Sequence, residues 1–221
     1  MSSIKTKDLF DLSHTAAADL LERCEYPWYA LPQIKDFINA LITTLPEDEY
    51  YAPCEGVRIA KSATVAQNAT ICAPTVIGEG TEIRPGAYIR GGVLVGKNCV
   101  VGNSCEIKNS ILFDNVQVPH FNYIGDSILG YRAHTGAGAI TSNVKSDRTP
   151  VRVKTADGYI ETGLKKFGAM LGDGVEVGCN SVLNPGTVIG KNSNIYPLSS
   201  VRGVIESECI YKSQNEIVKK N

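Results

Sequence analysis

Three histidines, His14, His120 and His134, are the residues of this chain best suited to proton transfer. An imidazole titrates near neutrality, so a placed histidine can take a proton from an amine or a hydroxyl. His120 sits in Val118-Pro119-His120-Phe121-Asn122-Tyr123-Ile124-Gly125-Asp126, and His134 follows fourteen residues on. A second concentration is cationic: Lys145, Arg148, Arg152, Lys154, Lys165 and Lys166 fall between Asn143 and Gly168. Seven cysteines are scattered without a CxxC pair, which predicts free thiols in a reducing compartment.

The elements that position these residues announce themselves by period. From Ile59 an aliphatic side chain recurs every six residues, at 59, 65, 71, 77, 83, 89, 95, 101 and 107, and Phe113 extends the series. Four residues after most of these stands a small or β-branched residue, among them Thr75, Thr81, Cys99 and Cys105. The same frame returns at Leu171, Val177, Leu183, Ile189, Ile195 and Val201. Helices repeat near 3.6 and strands at 2, so a strict six is neither. It fits a triangular coil in which each hexad is a short strand plus a corner and three hexads close one turn. Such coils must stack to bury their inward aliphatics, and the two blocks supply roughly seven of them. The small residues, the two cysteines included, are expected at the tight inner edge.

The frame slips between Phe113 and Leu129, where Pro119 takes the place of the next aliphatic. It is lost altogether over 143–168, which predicts an excursion from the coil. Residues 1–56 follow a helical pattern instead. Ser13 can cap a helix starting near His14, and Ile34, Phe37, Ile38, Leu41 and Ile42 give a second apolar face that Pro46 closes. The organisation expected is therefore a helical cap over 1–56, a β-helix over 57–212 with the 143–168 excursion, and a charged tail over 213–221. The cap is expected over the open edge of the first coil and the tail over the other.

Composition narrows the function. A formal net charge of −1 gives no reason to expect nucleic acid. The polar start has no apolar signal core, and no apolar run is long enough for a membrane span, so a cytoplasmic protein is expected.

The hexads, the His120 segment, Thr135-Gly136-Ala137-Gly138-Ala139-Ile140-Thr141-Ser142-Asn143 and Gly163-Leu164-Lys165-Lys166-Phe167-Gly168-Ala169 together resemble the hexapeptide-repeat acyltransferases. They are most similar to the acetyltransferase half of the bifunctional hexosamine-1-phosphate acetyltransferase/uridylyltransferases, bacterial and archaeal. The resemblance covers about half the chain. It implies a mainly β fold, a left-handed parallel β-helix with a short helical start; the repeat alone does not fix the hand, and this family is an exception to right-handed crossovers. It also implies a homotrimer and acetyl-CoA as co-substrate. His120 would be the general base for attack of a sugar amine on the thioester. Arg84, Lys108, Tyr123, Asn143 and Lys166 would contact the substrate, the cations holding its phosphate. His134 stands where the bacterial enzymes have a sugar-contacting asparagine, a departure that bears on which hexosamine is used. Ala137, Cys179, Pro197 and Lys212 would line the coenzyme, Lys212 facing its phosphates, and the Gly136-Ala137-Gly138 backbone would supply an oxyanion N–H.

Other readings use the same repeat. A γ-type carbonic anhydrase needs three histidines around zinc, and the repeat has two, so no catalytic metal is expected. A non-catalytic module binding a sugar phosphate or nucleotide sugar, or an acyltransferase for another amino sugar, fits the repeat too. Residues 1–56 are too short for a nucleotidyltransferase domain and carry no Gly-rich phosphate loop. Nucleotide-sugar precursor synthesis, such as that of UDP-N-acetylglucosamine, is the pathway the family implies.

Overall fold

In a computed structural model, which describes residues 4–220, the hexads wind into a parallel β-helix of three faces. The first face stacks Thr64–Val65, Glu82–Ile83, Val100–Asn103, Gln117–His120, His134–Thr135, Glu176–Val177, Asn194–Ile195 and Cys209–Ser213. The second begins with Thr70–Ile71 and Tyr88–Ile89, and the third with Val57–Ala60, Thr75–Ile77 and Val93–Val95. The hexad aliphatics point inward: Ile83 pairs with Val101 and Val101 with Val118, all buried. Each fully buried side chain of this size contributes about 1.5–3 kcal/mol, which explains why a coil with so few aromatics holds together.

The small residues at the inner edge do more than fit. The Thr81 hydroxyl donates to the Gly96 carbonyl at 2.8 Å and accepts from the Cys99 N–H at 3.0 Å. Ser193 does the same between Glu206 O and Cys209 N–H. Corner backbone groups that face the core thus find partners inside it. Cys99 and Cys105 occupy equivalent places, and burial pushes the Cys99 thiol up to about 12. Cys54 and Cys179 are exposed. A disulfide reagent at neutral pH is therefore expected to modify Cys54 and Cys179 in the native protein and to reach Cys99 and Cys105 only on unfolding. A fast phase of undiminished amplitude in the Cys54→Ser/Cys179→Ser double variant would contradict this packing.

The slip in the repeat falls one hexad earlier than the aliphatic count places it. Leu112, not Phe113, pairs with Val95 on one side and Leu129 on the other. The steps from Ile107 to Leu112 and from Ile124 to Leu129 are both five residues, and in both the strand runs straight through the corner, as Glu106–Leu112 and Tyr123–Leu129. The residues turning those shortened corners, Asn109 (φ 46°) and Asp126 (φ 49°), are left-handed, a conformation that Asn and Asp tolerate best after Gly. Phe113, displaced from the inward place though its N–H still donates to Leu129 O at 2.9 Å, is buried against Phe10 with ring centroids 5.1 Å apart. Val118 takes the inward place, leaving Pro119 on the corner.

The helical segment also departs from expectation. Asp11, not Ser13, caps a 3-10 turn at Leu12–His14, and the following helix is Ala18–Glu22. The helix Ile34–Ile42 buries Ile34, Ile38 and Ile42 as its pattern predicts. It lies along the third face, against Thr75–Ile77, Val93–Val95 and Glu106–Leu112, rather than over the open edge of the first coil. Asp173 holds the segment there, accepting from the Asp11 N–H at 2.7 Å while its own N–H donates to Leu9 O. The open edge is instead met by Tyr50–Tyr51, antiparallel to Val57–Ala60. At the other end Glu216–Lys219 folds back antiparallel on Cys209–Ser213. Both strands cover ladder groups that would otherwise template further pairing.

The 143–168 excursion forms a hairpin, Arg152–Thr155 with Gly158–Glu161, whose Val151 and Val153 are buried. Among the described residues no helix is long and apolar enough to cross a membrane.

Candidate active site

Two corners flank the second face, and the candidate residues divide between them. The first corner carries a file. Ladder register sets His120 one coil above Asn103, and continuing it places Ala137 above His120, Cys179 above Ala137 and Pro197 above Cys179. Backbone bonds tie the file together: Gly138 N–H to His120 O, Asn180 N–H to Ala137 O and Leu198 N–H to Cys179 O, at 2.8–3.0 Å. Neighbours in such a file are about 4.8 Å apart.

His120 itself is exposed, and Asn122 fixes its backbone. The Asn122 amide is buried, its oxygen accepting from the His120 N–H at 3.1 Å and its nitrogen donating to Gly136 O at 2.8 Å and Ala139 O at 3.2 Å. One side chain thus locks the His120 corner to the Gly136–Ala139 corner. Of the three amides expected as oxyanion donors, Gly136 and Gly138 already donate to Val177 O and His120 O. The Ala137 N–H is the one with no hydrogen-bond partner among the described residues.

The second corner is the shortened one, and its hub is Asp126, 4% exposed. Lys108 Nζ donates to both carboxylate oxygens at 3.1 and 2.9 Å, Asn109 Nδ2 to Oδ1 at 2.9 Å, and Asn143 Nδ2 to Oδ2. Asn143 also lies 3.2 Å from the Tyr123 hydroxyl. Burial, then the charge of Asp126, pushes the Tyr123 phenol above its ordinary value, so it stays neutral at physiological pH. A carboxylate that holds three donors fixes the geometry of an otherwise cationic corner.

Gly125 makes room for this arrangement. A Cβ there would stand 2.5 Å from the Tyr123 hydroxyl and 2.9 Å from Asn143 Nδ2. Gly125→Ala is expected to leave the fold intact, because both neighbours are side-chain ends, and to displace the phenol and the amide. Any sugar-phosphate turnover should fall about tenfold through a higher KM; unchanged kinetics in a folded variant would remove Tyr123 and Asn143 from the site.

A cavity of about 480 Å³ beside this corner is lined by Lys108, Asp126 and Lys166, together with Arg90, Asn109 and Lys35. Arg84 does not line it. That residue lies at the first corner and pairs with Glu82 at 3.0 Å. His134 is on the first face, in register with Gln117 and Glu176, two residues before its corner. Lys212, in the terminal hairpin, is engaged by Glu216 at 2.6 Å. Asn109, Asn122 and Asp126 stand outside the site residues expected from sequence; the signal they carry is a longer amide or a carboxylate where the repeat otherwise places small hydroxyl residues or apolar ones. Among the described residues no group of three or more His, Cys, Asp or Glu is placed to hold a metal ion.

Comparison with known proteins finds relatives over part of the chain. The family described as the GMPPB C-terminal domain matches residues 71–161. The bifunctional protein GlmU of Methanococcus vannielii is 39% identical over 112 residues, 50% of this chain and 27% of that protein. A bifunctional sugar-1-phosphate nucleotidylyltransferase/acetyltransferase of Sulfurisphaera tokodaii is 34% identical over 88 residues, 40% of this chain and 22% of that protein. The acetyltransferase domain of PglB from Neisseria gonorrhoeae aligns at 15% identity over 85% of this chain and 64% of that one, with a TM-score of 0.40. The chain thus spans about a quarter of the length of the curated relatives it matches. Fold and site define a hexapeptide-repeat β-helix. The protein resembles the acetyltransferase domain of the bifunctional sugar-1-phosphate enzymes.

Proposed function

We propose that the chain is an acetyl-CoA-dependent N-acetyltransferase acting on a hexosamine 1-phosphate. The observation that carries the reading is the pairing of a histidine file on one edge of the second face with a cationic, Asp126-organised corner on the other, Tyr123 lying between. In this reading Lys108 and Lys166 hold the phosphate, and Tyr123 and Asn143 orient the sugar. Coenzyme lies along Ala137, Cys179 and Pro197, with Lys212 exchanging Glu216 for its phosphates. His120 takes a proton from the amine as nitrogen bonds to the thioester carbon, and the Ala137 N–H meets the developing oxyanion. The C–S bond then breaks and CoA leaves as its thiol once protonated. Arg84 and His134 act from the first corner and its adjoining face.

Exposed Phe121 (62%) and Leu198 (80%) stand along the histidine corner. They support a homotrimer in which neighbouring prisms cover them. Sedimentation at low micromolar concentration should give three chains per particle; a stable monomer would rule this out.

The test of function is CoA release from acetyl-CoA with glucosamine 1-phosphate and galactosamine 1-phosphate. Turnover with either supports the assignment, and the preferred sugar is the one whose ring His134 and Asn143 accept. No turnover by folded protein would favour the non-catalytic binding module.

A further inference from the structure

The cavity beside the second corner has a wall that the β-helix does not build. Leu31 and Pro32 line it, and so does Lys35, in the first turn of the helix Ile34–Ile42. The helical segment is bonded to the site itself: Asn109 Nδ2 reaches the Leu31 carbonyl at 3.2 Å and Asp126 Oδ1 at 2.9 Å. The Lys35 stem runs against Gly92, where an added Cβ would be 3.1 Å from Lys35 Cγ.

The charges are unbalanced. Arg90 is paired with Glu106 at 2.7 Å and Lys108 with Asp126 at 2.9 Å. Lys35 and Lys166 have no carboxylate partner among the described residues, and both line the cavity. Two free ammonium groups around one cavity suit a dianion, and a compact point charge on a flexible stem is a common phosphate ligand.

We infer that the N-terminal helical segment completes the substrate site and that Lys35 binds the phosphate monoester. Asn109 is the positioning residue that keeps the segment in register with Asp126. The inference rests on the proposed function only for the identity of the sugar; the anion site is argued from this cavity alone.

The experiment is titration of inorganic phosphate into the 221-residue chain, followed by calorimetry, for wild type, Lys35→Ala and the surface control Lys61→Ala. Wild type and Lys61→Ala should bind saturably and alike, and Lys35→Ala about fivefold to tenfold more weakly. The same loss should appear with glucosamine 1-phosphate and not with glucosamine. Thermal unfolding establishes that each variant is folded, and Lys35→Gln, which keeps most of the stem, should behave like Lys35→Ala. Equal phosphate affinity in wild type and Lys35→Ala overturns the inference, as does the lack of saturable binding in wild type. Lys35-dependent phosphate binding without any CoA release would uphold this site and sink the acetyl-transfer reading. CoA release with phosphate binding indifferent to Lys35 would do the reverse.

Discussion

His120→Ala should lower CoA release about 10²–10⁴-fold, the span typical for loss of a general base. The fold should survive, because the bonds that hold this corner come from the main chain: the His120 N–H to Asn122 and its carbonyl from Gly138. Both persist in alanine. Binding of acetyl-CoA should change little, since the remaining file of Ala137, Cys179 and Pro197 is untouched. Exogenous imidazole should recover part of the rate if the lost function is proton transfer rather than shape. A folded variant that keeps more than about a tenth of wild-type turnover would place the base elsewhere, and His134 on the adjoining face would be the next residue to replace.

Asp126→Ala should have the largest effect on stability. The carboxylate is 4% exposed and holds Lys108, Asn109 and Asn143 at once. Its removal strands two amides and one ammonium. Lys108 keeps 23% side-chain exposure and can rehydrate, which lessens the cost below that of a fully buried pair. A loss of about 2–3 kcal/mol is expected, or roughly 5–10 °C in Tm for a chain of this size. On the proposed function, the KM for a hexosamine phosphate should rise in parallel, because Asn143 loses its anchor and Tyr123 is bonded to Asn143. Thermal unfolding with and without Asn143→Ala in the same chain separates the shares: if Asp126 acts as the hub, the two losses are not additive. A Tm within about 1 °C of wild type would show the hub to be an unneeded ornament of the corner.

The coil itself was legible because a strict six-residue period suits neither a helix nor a plain strand but a stacked triangular coil, and the inward places of Ile83, Val101 and Ile107 follow from counting. Counting fails where two apolar residues compete for one inward place. Leu112 and Phe113 both suit the core, and only ladder register decides between them. The histidine file was legible only through the family resemblance, because the 143–168 excursion and the shortened steps break the count between His120, Ala137 and Cys179. The second corner was legible only in part. Lys108, Tyr123, Asn143 and Lys166 were expected at a substrate site, but the part played by Asp126 depends on two five-residue steps stacking. Lys35 was out of reach, because the path of a helical segment along a side face is set by surface complementarity, not by any period. Arg84 shows the converse: a cation of the expected type that ladder register, with Ile83 opposite Val101, sets at the other corner beside Glu82.

The excursion leaves the coil after Asn143 and returns at Phe167, and the Phe167 N–H donates to the Asn143 carbonyl at 3.0 Å. Its two ends are therefore fastened to each other rather than held apart by what lies between. A segment so fastened is a cassette. Only the turn of its hairpin, between Thr155 and Gly158, can change length with little thermodynamic consequence, at about 0.6 kcal/mol per doubling, because Val151 and Val153 are buried. Exchange of that turn between chains of this architecture can then alter the outer surface while the prism, its ladder and the histidine file stay as they are.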